Sequence, residues 1–391
     1  MKKNIAFTGG GTGGHIYPCL AVIEELVSQD PSKEFFYIAN SNKLEAQLLI
    51  NKELKDYRGI AFSGYIKFLG IQAEPLIKSF NPIKVIQWFL RFQRQVKQAK
   101  KYLTENSIEI VFGTGGYVSG PVFAACKDLK IPYVIHNLDA FIGIANSVFV
   151  KDAFALTLGL DSKQKIKPKN GKRIITGNPI SKKFLDRVNV MAETPAVIAS
   201  PEGAWQSSPT NDGRINLLVT GGSQGAESIN NATGKILPEL AKLNLQITHV
   251  TGTKTYDEFV EKYLDGDINK YSNYVVVPYT HQMPELCNEA DLTVCRAGAM
   301  TIAEMCISGV VPIFVPLPWA AHDHQNLNAE SLVNAGAAFS LNQDEKDFEE
   351  NLLKIILELL NNTEKLNSMR NNLQQFSKPQ AAKEIVEILN N

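Results

Sequence analysis

The chain has 391 residues, of which 44% are hydrophobic and 20% are charged. At about 150 residues per domain this predicts two or three globular domains and excludes disordered, collagen-like and disulfide-rich chains. The 40 basic and 40 acidic residues cancel, so no overall field favours nucleic acid as a partner. Five cysteines without CxxC spacing are expected to be reduced thiols. No segment has the apolar length of a signal peptide or a membrane span, so we expect an intracellular protein that does not cross a membrane.

Short β-branched or aromatic runs alternate with helical patterns along most of the chain. In the first half, strands are predicted at 5–8, 35–39, 108–112, 133–136, 153–157 and 173–176. In the second half, they are predicted at 217–220, 246–250, 274–277, 292–295 and 312–315. Strands separated by segments of helix length imply βαβ units, and therefore an α/β fold with parallel sheets covered by helices on both faces.

The halves are expected to meet near Gly177, Asn178 and Pro179, where a strand ends in turn residues. We therefore predict an N-terminal domain at 1–177 and a C-terminal domain at 178–378. Residues 194–213 are rich in Pro, Ser, Gly and Ala without any period, which indicates an inserted loop. The last residues, 379–391, are predicted to form a short helix that docks on either half.

Three glycine-rich loops each follow a predicted strand. They read GGGTGGH at 9–15, GTGGYVSGP at 113–121 and GGSQGA at 221–226. Glycines at a strand-to-helix turn let backbone N–H groups approach an anion, and the helix N-terminus adds its dipole. A single such loop could serve the turn alone, but three at the carboxyl ends of strands favour a nucleotide or phosphate ligand in one cleft. Neither the dinucleotide spacing nor a Walker lysine is present, which argues against NAD and against ATP bound by a P-loop.

Two further segments of the second half carry polar side chains beside predicted strands. Glu304 lies about one turn into the helix after the strand at 292–295, where a carboxylate can accept two hydrogen bonds from a ribose diol. The alternative is a favourable charge near a helix N-terminus. The loop at 316–329 ends in Asp, Gln and Asn, which suit sugar hydroxyls. His322 and His324 flank Asp323, but no third ligand has suitable spacing, so no metal site is expected.

Five motifs occur in one order along nearly the whole chain. They are GGTGGH at 10–15, GTGGYVSGP at 113–121, TGNP at 176–179, GGSQGA at 221–226 and DHQ-x-x-NA at 323–329. Together they closely resemble the MurG family of N-acetylglucosaminyltransferases. The resemblance implies a GT-B fold, in which two Rossmann-like domains face each other across a cleft, and it implies neither a cofactor nor a metal.

The resemblance also implies a reaction and its partners. The donor is UDP-N-acetylglucosamine, and the acceptor is lipid I, the undecaprenyl-pyrophosphoryl-muramyl-pentapeptide. The C4 hydroxyl of the muramyl sugar attacks with inversion, UDP leaves, and the β-1,4 bond of lipid II forms. The donor is expected mainly on the second domain and the acceptor on the first, with the final helix crossing back to the first. The expected location is peripheral, on the cytoplasmic side of the cell membrane.

Residue roles follow from the same resemblance. The implied donor-binding residues are Thr12, Gly13, Gly14, Asp139, Ser181, Ser223, Gln224, Gly225, Thr280, Ala299, Met300, Thr301, Glu304 and Gln325. Within this set Glu304 matches the ribose contact and Gln325 the contact to the sugar hydroxyls, while the backbone of 279–283 holds the uracil. The second glycine loop, with Gly115, Gly116 and Tyr117, lies on the acceptor side.

Four positions depart from the family pattern, one of them Leu138 in place of a glutamine. The segment HEQN-x-x-x-G-x-x-N reads HNLDAFIGIAN at 136–146, so a glutamate is replaced by Asn137 and a sugar-contacting asparagine by Asp139. The arginine that follows GNP-x is replaced by Ser181. An amide cannot serve as a base, so His15 is the leading candidate for the general base and Asp139 the second. The alternative for His15 is a hydrogen bond that ties the first loop together.

Residues 75–104 contain seven basic residues and no acidic one. On a helix after Pro82, we expect a core face formed by Val85, Phe89, Phe92, Val96, Ala99 and Leu103. The opposite side then carries Ile83, Ile86, Leu90, Arg94, Lys97 and Lys101. Exposed apolar residues among cations are typical of an interfacial membrane surface, where anionic lipid contributes about 1 kcal/mol per basic residue. The alternative is an ordinary solvated helix face.

Other functions share parts of this pattern. One is a different UDP-sugar-dependent glycolipid glycosyltransferase, for example one acting on diacylglycerol, and another is a UDP-sugar 2-epimerase. A catalytically silent UDP-sugar-binding protein is a third possibility, suggested by Asn137, Asp139 and Ser181. Transfer to lipid I separates all three from the leading hypothesis.

Overall fold

The computed structural model describes residues 3–10, 13–41, 66–75, 77, 81–185, 214–222 and 225–391. The chain divides into two compact units, one of Met1–Lys182 with Lys378–Asn391 and one of Lys183–Ser377. The predicted inserted loop at 194–213 lies outside the described residues.

The first unit is built on a parallel sheet of seven strands. These are β1 Ile5–Thr8, β2 Phe35–Asn40, β3 Ile66–Ile71, β4 Ile110–Gly113, β5 Tyr133–Asn137, β6 Ala155–Leu158 and β7 Lys172–Ile175. The helices between them are α1 Gly13–Gln29, α2 Pro82–Glu105, α3 Ser119–Leu129 and α4 Ile144–Phe149. The strand order is β3-β2-β1-β4-β5-β6-β7. The chain adds β2 and β3 on one side of β1 and β4 to β7 on the other, which creates a crevice at the carboxyl ends of β1 and β4.

The second unit repeats this plan with six parallel strands. These are β8 Ile215–Thr220, β9 Leu245–Val250, β10 Tyr274–Val277, β11 Leu292–Cys295, β12 Val311–Phe314 and β13 Phe339–Ser340. Its helices are α5 Glu227–Leu240, α6 Tyr256–Leu264, α7 Met283–Glu289, α8 Ala299–Ser308, α9 His324–Asn334, α10 Phe348–Leu360 and α11 Thr363–Gln374. The strand order β10-β9-β8-β11-β12-β13 reverses between β8 and β11. The predicted α/β fold with two Rossmann-like sheets is thereby confirmed.

The final helix, α12 Ala381–Asn390, belongs to the first unit. It packs on α1, and Ile385, Val386 and Leu389 are buried in the core of that unit. Its apolar face recurs every three or four residues, as an amphipathic helix requires. The sequence pattern left its docking partner open, whereas the family resemblance implied the first domain, and the helix belongs to the first unit.

The eleven predicted strands are all present, with bounds that differ by at most two residues. Two further strands, β3 and β13, were missed. In β3, Lys67 and Gly70 interrupt the apolar run, and most of its side chains are only half-buried because it lies at the edge of the sheet. Strand β13 has only two residues, too few to show a periodic pattern.

The predicted core face of α2 is correct only for its later turns. Val96, Ala99 and Leu103 are buried, whereas Val85 and Phe89 are 40% and 52% exposed. The helix has 24 residues and is therefore about 36 Å long, while a six-residue strand spans about 20 Å. The sheet is therefore too short to cover the whole of α2, and the first turns of the helix are exposed. No helix in the described part of the chain is long and apolar enough to span a membrane.

Candidate active site

In the first unit, His15 lies in the first turn of α1 and is fixed by Thr114 at the end of β4. Its Nδ1 is 3.0 Å from the Thr114 carbonyl oxygen. A carbonyl only accepts hydrogen bonds, so Nδ1 donates and the lone pair of the neutral ring lies on Nε2. Thr114 Oγ1 in turn donates to the His15 carbonyl at 2.6 Å. These two hydrogen bonds tie the first two loops together, as the structural alternative proposed, and the first of them also orients the imidazole ring.

The first two glycine loops pack backbone against backbone. A Cβ on Gly116 would lie 2.2 Å from the Gly10 carbonyl oxygen, and one on Gly9 would lie 2.0 Å from Thr114 Oγ1. Gly115 and Gly116 also have φ angles of +100° and +77°. Glycine at these positions is thus required by close approach, beyond the demands of a tight turn. Thr12 lies outside the described residues, and Tyr117 is half-buried beside the core.

Asn137 organises the loop that follows β5. Its Nδ2 donates to the carbonyl oxygens of Asp139 at 2.7 Å and Phe141 at 3.1 Å. Its Oδ1 accepts from Gly143 N at 3.3 Å and from Asn146 Nδ2 at 3.1 Å. An ionised glutamate cannot donate to those carbonyls. Asn137 is therefore a structural centre of this loop and has no group that could act as a base.

Asp139 is half-buried on the same loop. Because β1, β4 and β5 are neighbours in the sheet, the segments that follow β1 and β5 are about 10 Å apart across two strand spacings. The structure therefore brings His15 and Asp139 to one edge of the first sheet. This arrangement keeps both residues as candidates for the base.

The buried side chains of His136 and Asn178 support the loop after β5, which the sequence did not reveal. His136 Nε2 is 3.0 Å from Asn178 Oδ1, and His136 Nδ1 is 2.9 Å from Thr157 Oγ1. Asn178 Nδ2 donates to the Leu138 carbonyl at 3.2 Å. Burial lowers the pKa of His136 to about 4, so the ring stays neutral near pH 7. The TGNP motif thus holds the backbone next to Asp139.

Lys182, which follows Ser181, does not replace the charge of the family's arginine. Lys182 Nζ lies 3.0 Å from Glu25 and donates to Ser28 Oγ at 2.6 Å, while the Lys182 N–H donates to Glu24 at 3.1 Å. Its charge is therefore already paired on α1. Ser181 itself is buried and brings no positive charge to a diphosphate.

In the second unit, the third glycine loop leads directly into α5. The Gly225 N–H donates to the Gly222 carbonyl at 2.9 Å, and both residues have positive φ angles of +76° and +81°. The helix N-terminus that follows carries a partial positive charge, which favours an anion. Ser223 and Gln224 lie outside the described residues.

The segment after β11 is held by Arg296, another residue that the sequence analysis missed. Its guanidinium donates to the Val315 carbonyl at 2.9 Å, to Gln343 Oε1 at 2.8 Å and to Ser228 Oγ at 3.0 Å. These partners lie after β12, after β13 and on α5. Arg296 thereby joins two loops and the start of α5 at the carboxyl edge of the second sheet, and burial lowers its pKa.

Next to Arg296, α8 begins with Ala299, Met300 and Thr301 in its first turn and carries half-buried Glu304 in its second. The turn before the helix is fixed by Asn328, whose Nδ2 donates to the Ala297 carbonyl at 3.1 Å. The asparagine of the DHQ-x-x-NA motif therefore shapes the start of α8.

The loop between β12 and α9 presents Gln325 in a fixed orientation. Gln325 Oε1 accepts from the Leu317 N–H at 2.9 Å, which directs the side-chain NH₂ to other partners as a donor. His322 and Asp323 have φ angles of +56° and +55°, a strained conformation for residues with a Cβ that is common at binding sites. Across the described ranges, no three His, Cys, Asp or Glu side chains are grouped to hold a metal ion.

The described candidate residues of each unit thus cluster at the carboxyl edge of its sheet. In the second unit, Thr280 follows β10, where its Oγ1 accepts from the Gln282 N–H at 2.9 Å. Gly225, Ala299, Glu304 and Gln325 follow β8, β11 and β12. This is the edge at which open parallel sheets bind ligands.

Comparisons with known proteins agree with this geometry. The glycosyltransferase family 28 N-terminal domain matches residues 5–156, and the family 28 C-terminal domain matches residues 216–385. A protein of Bacillus pumilus is 34% identical over 98% of both chains, and one of Listeria welshimeri is 33% identical over 98% of both. Both are named UDP-N-acetylglucosamine--N-acetylmuramyl-(pentapeptide) pyrophosphoryl-undecaprenol N-acetylglucosamine transferase.

Among solved structures, MurG of Acinetobacter baumannii is similar with a TM-score of 0.71 and 27% identity over 99% of both chains. A UDP-GlcNAc 2-epimerase of Neisseria meningitidis has a TM-score of 0.63 at 15% identity. The second likeness shows a shared fold alone.

Proposed function

Because the chain belongs to the MurG family of glycosyltransferases, we propose that it transfers N-acetylglucosamine from UDP-N-acetylglucosamine to lipid I. The product is lipid II, and the enzyme works in peptidoglycan synthesis. The observation that carries this function is full-length identity of 34% to a transferase of that name, and the family's motifs lie at the ligand-binding edges of both sheets.

The first unit supplies the base in this proposal. Nε2 of His15 takes the proton of the C4 hydroxyl of the muramyl sugar as that oxygen bonds to the anomeric carbon of the donor. The bond from this carbon to the diphosphate oxygen breaks, and UDP leaves with the electron pair. The imidazolium keeps its Nδ1–H bond to the Thr114 carbonyl oxygen, 3.0 Å away, which stabilises the charged ring.

The second unit supplies the donor site. Backbone N–H groups of the third glycine loop and the N-terminus of α5 bind the diphosphate and stabilise the charge that develops on UDP. Glu304 binds the ribose diol, Gln325 donates to a hydroxyl of the transferred sugar, and the backbone around Thr280 holds the uracil. These assignments extend family roles to the positions of this chain.

The direct test is transfer of labelled N-acetylglucosamine from UDP to lipid I by the purified protein, with product analysis for lipid II. Transfer to diacylglycerol would instead support the other glycolipid activity. Formation of the 2-epimer of the donor without lipid would support an epimerase. Binding of UDP-N-acetylglucosamine without any turnover would support the silent binding protein, and each of these outcomes would overturn the proposal.

The acceptor is a lipid, so the proposal includes peripheral attachment to the cytoplasmic face of an anionic membrane through the start of α2. Ile83, Ile86 and Leu90 are 64%, 58% and 54% exposed, and Arg94, Lys97 and Lys101 are exposed on the following turns. The exposed Val85 and Phe89, which were expected in the core, enlarge this apolar surface. Cations beside exposed apolar residues fit an interface rich in anionic lipid.

Replacing Ile83, Ile86 and Leu90 with serine is expected to weaken binding to vesicles of anionic phospholipid by about tenfold or more, because insertion of each apolar side chain is favourable. Activity on a soluble, short-chain acceptor should be retained. The matched control replaces Phe154 and Ile175, which are 44% and 46% exposed elsewhere on the same unit. Vesicle cosedimentation measures the effect, and equal binding by the α2 variant and the parent would show a merely solvated face.

A further inference from the structure

A chain of buried polar side chains runs beneath the third glycine loop. Tyr274 on β10 and Asn230 on α5 both contact His249, which lies between them on β9. The Tyr274 hydroxyl oxygen is 2.7 Å from His249 Nδ1, and Asn230 Oδ1 is 3.0 Å from His249 Nε2. Buried polar groups of this kind are costly unless all are paired.

We call the series Tyr274, His249 and Asn230 the relay. The direction of each hydrogen bond in it follows from the other contacts of Asn230. Asn230 Nδ2 donates to the Thr251 carbonyl at 2.9 Å and to Thr255 Oγ1 at 3.0 Å. Its Oδ1 therefore accepts, so His249 Nε2 donates and His249 Nδ1 accepts from the Tyr274 hydroxyl. Burial lowers the pKa of His249 to about 3, which keeps the ring neutral and the relay intact near pH 7.

The relay ends on the Thr251 turn, and Gly225 of the third glycine loop packs against that turn. A Cβ on Gly225 would lie 2.2 Å from the Thr251 carbonyl oxygen and 3.2 Å from Gly252 Cα. The Asn230 N–H also donates to the Ala226 carbonyl at 2.9 Å. That bond is part of the helix backbone, so the contribution of the Asn230 side chain is to hold the Thr251 turn, against which Gly225 packs.

We propose that Asn230 is a positioning residue for the donor: by holding the Thr251 turn, its side chain fixes Gly225 and the start of α5, the helix N-terminus that binds the diphosphate. This inference rests on the proposed function. A loop held in its binding conformation before the ligand arrives loses less entropy on binding and binds more tightly. His249 and Tyr274 act one and two steps further away, by holding the Asn230 amide in its orientation.

The test measures UDP binding by calorimetry together with the KM values of donor and acceptor. Asn230→Ala is expected to raise the UDP Kd and the donor KM by about tenfold to a hundredfold, because it leaves buried groups unpaired and the loop unsupported. The acceptor KM should stay within about twofold, since the relay lies in the second unit, next to the proposed donor site. Tyr274→Phe removes one hydroxyl and keeps the ring, so its effect on both donor parameters should be smaller, about threefold to tenfold.

The matched control is Ile236→Ala on the same helix, where the side chain is buried in the core of the unit. It destabilises the fold by leaving a cavity without touching the relay, so its donor KM should remain near that of the parent. An equal rise in donor KM for Asn230→Ala and Ile236→Ala would reduce the relay to a structural role and overturn the inference. If Asn230→Ala does not fold, Tyr274→Phe decides, and an unchanged UDP Kd in that variant overturns it.

The parent protein separates this inference from the proposed function. A parent that binds UDP and transfers to lipid I, with variants that bind UDP equally well, would overturn the relay alone. A parent that binds no UDP would overturn the proposed function and the inference together.

Discussion

His15→Ala is expected to lower kcat by about 10²–10⁴, the usual contribution of a general base, while the UDP Kd changes little. In the parent, kcat should rise with pH as the imidazolium loses the proton that blocks Nε2. That rise should disappear in the variant. Single-turnover transfer at saturating donor across pH 5–9 measures both effects without interference from product release.

The control for this result is Asp139→Asn, which removes the competing carboxylate and keeps the shape of the side chain. If Asp139 is the base, this variant should show the larger fall in kcat, and His15→Ala should mainly disturb the loops that Thr114 joins. Full rates in both variants would contradict any base at this edge of the sheet. Stabilisation of the departing diphosphate would then carry the chemistry.

The geometry favours His15 over His136, the other histidine of the first unit. The chain has six histidines, and His136 is fully buried with both ring nitrogens at hydrogen-bond distance from Thr157 and Asn178. Burial holds the pKa of His136 at about 4, so it is a poor proton acceptor near pH 7. His15 has one nitrogen fixed by a carbonyl and is only half-buried.

Local sequence patterns predicted the strands and the glycine loops because both depend on residues close together in the chain. Apolar runs separated by helix-length segments locate βαβ units, and the first two loops carry glycines where the structure has positive φ angles or close approach. The overhang of α2 was not predictable, since periodicity locates a helix face without showing how far the layer beneath it extends.

The residues that organise the site escaped the sequence because their partners are distant along the chain. Asn178 lies 42 residues from His136, and Arg296 lies 47 residues from Gln343. Asn137 shows the same limit. The sequence revealed that it replaces the family's glutamate, but it did not reveal the four hydrogen bonds that its side chain makes in the loop after β5. Position-specific chemistry of this kind depends on the tertiary fold, which brings several strand ends together.

Glu304→Ala is expected to raise the donor KM by about a hundredfold or more without unfolding the protein. Removing a carboxylate that accepts two hydrogen bonds from the ribose diol lowers the binding free energy by about 1.5–3 kcal/mol for each bond. Every 1.4 kcal/mol corresponds to about a tenfold change in affinity. If Glu304 only adds a favourable charge to α8, its removal costs about 0.3–1 kcal/mol of stability and leaves donor affinity unchanged. Calorimetry with UDP and thermal unfolding separate the two roles.

The sharpest form of this experiment compares UDP with 2′-deoxy-UDP in both the parent and the Glu304→Ala variant. The parent should bind the deoxy ligand more weakly, because one hydrogen bond to the carboxylate is missing. The variant should bind the two ligands almost equally, since it has no carboxylate left to distinguish them. Glu345→Ala, which removes an exposed carboxylate from the same unit, should retain the parent's discrimination. If Glu304→Ala also retains it, the carboxylate does not bind the ribose, and its place on α8 serves the helix alone.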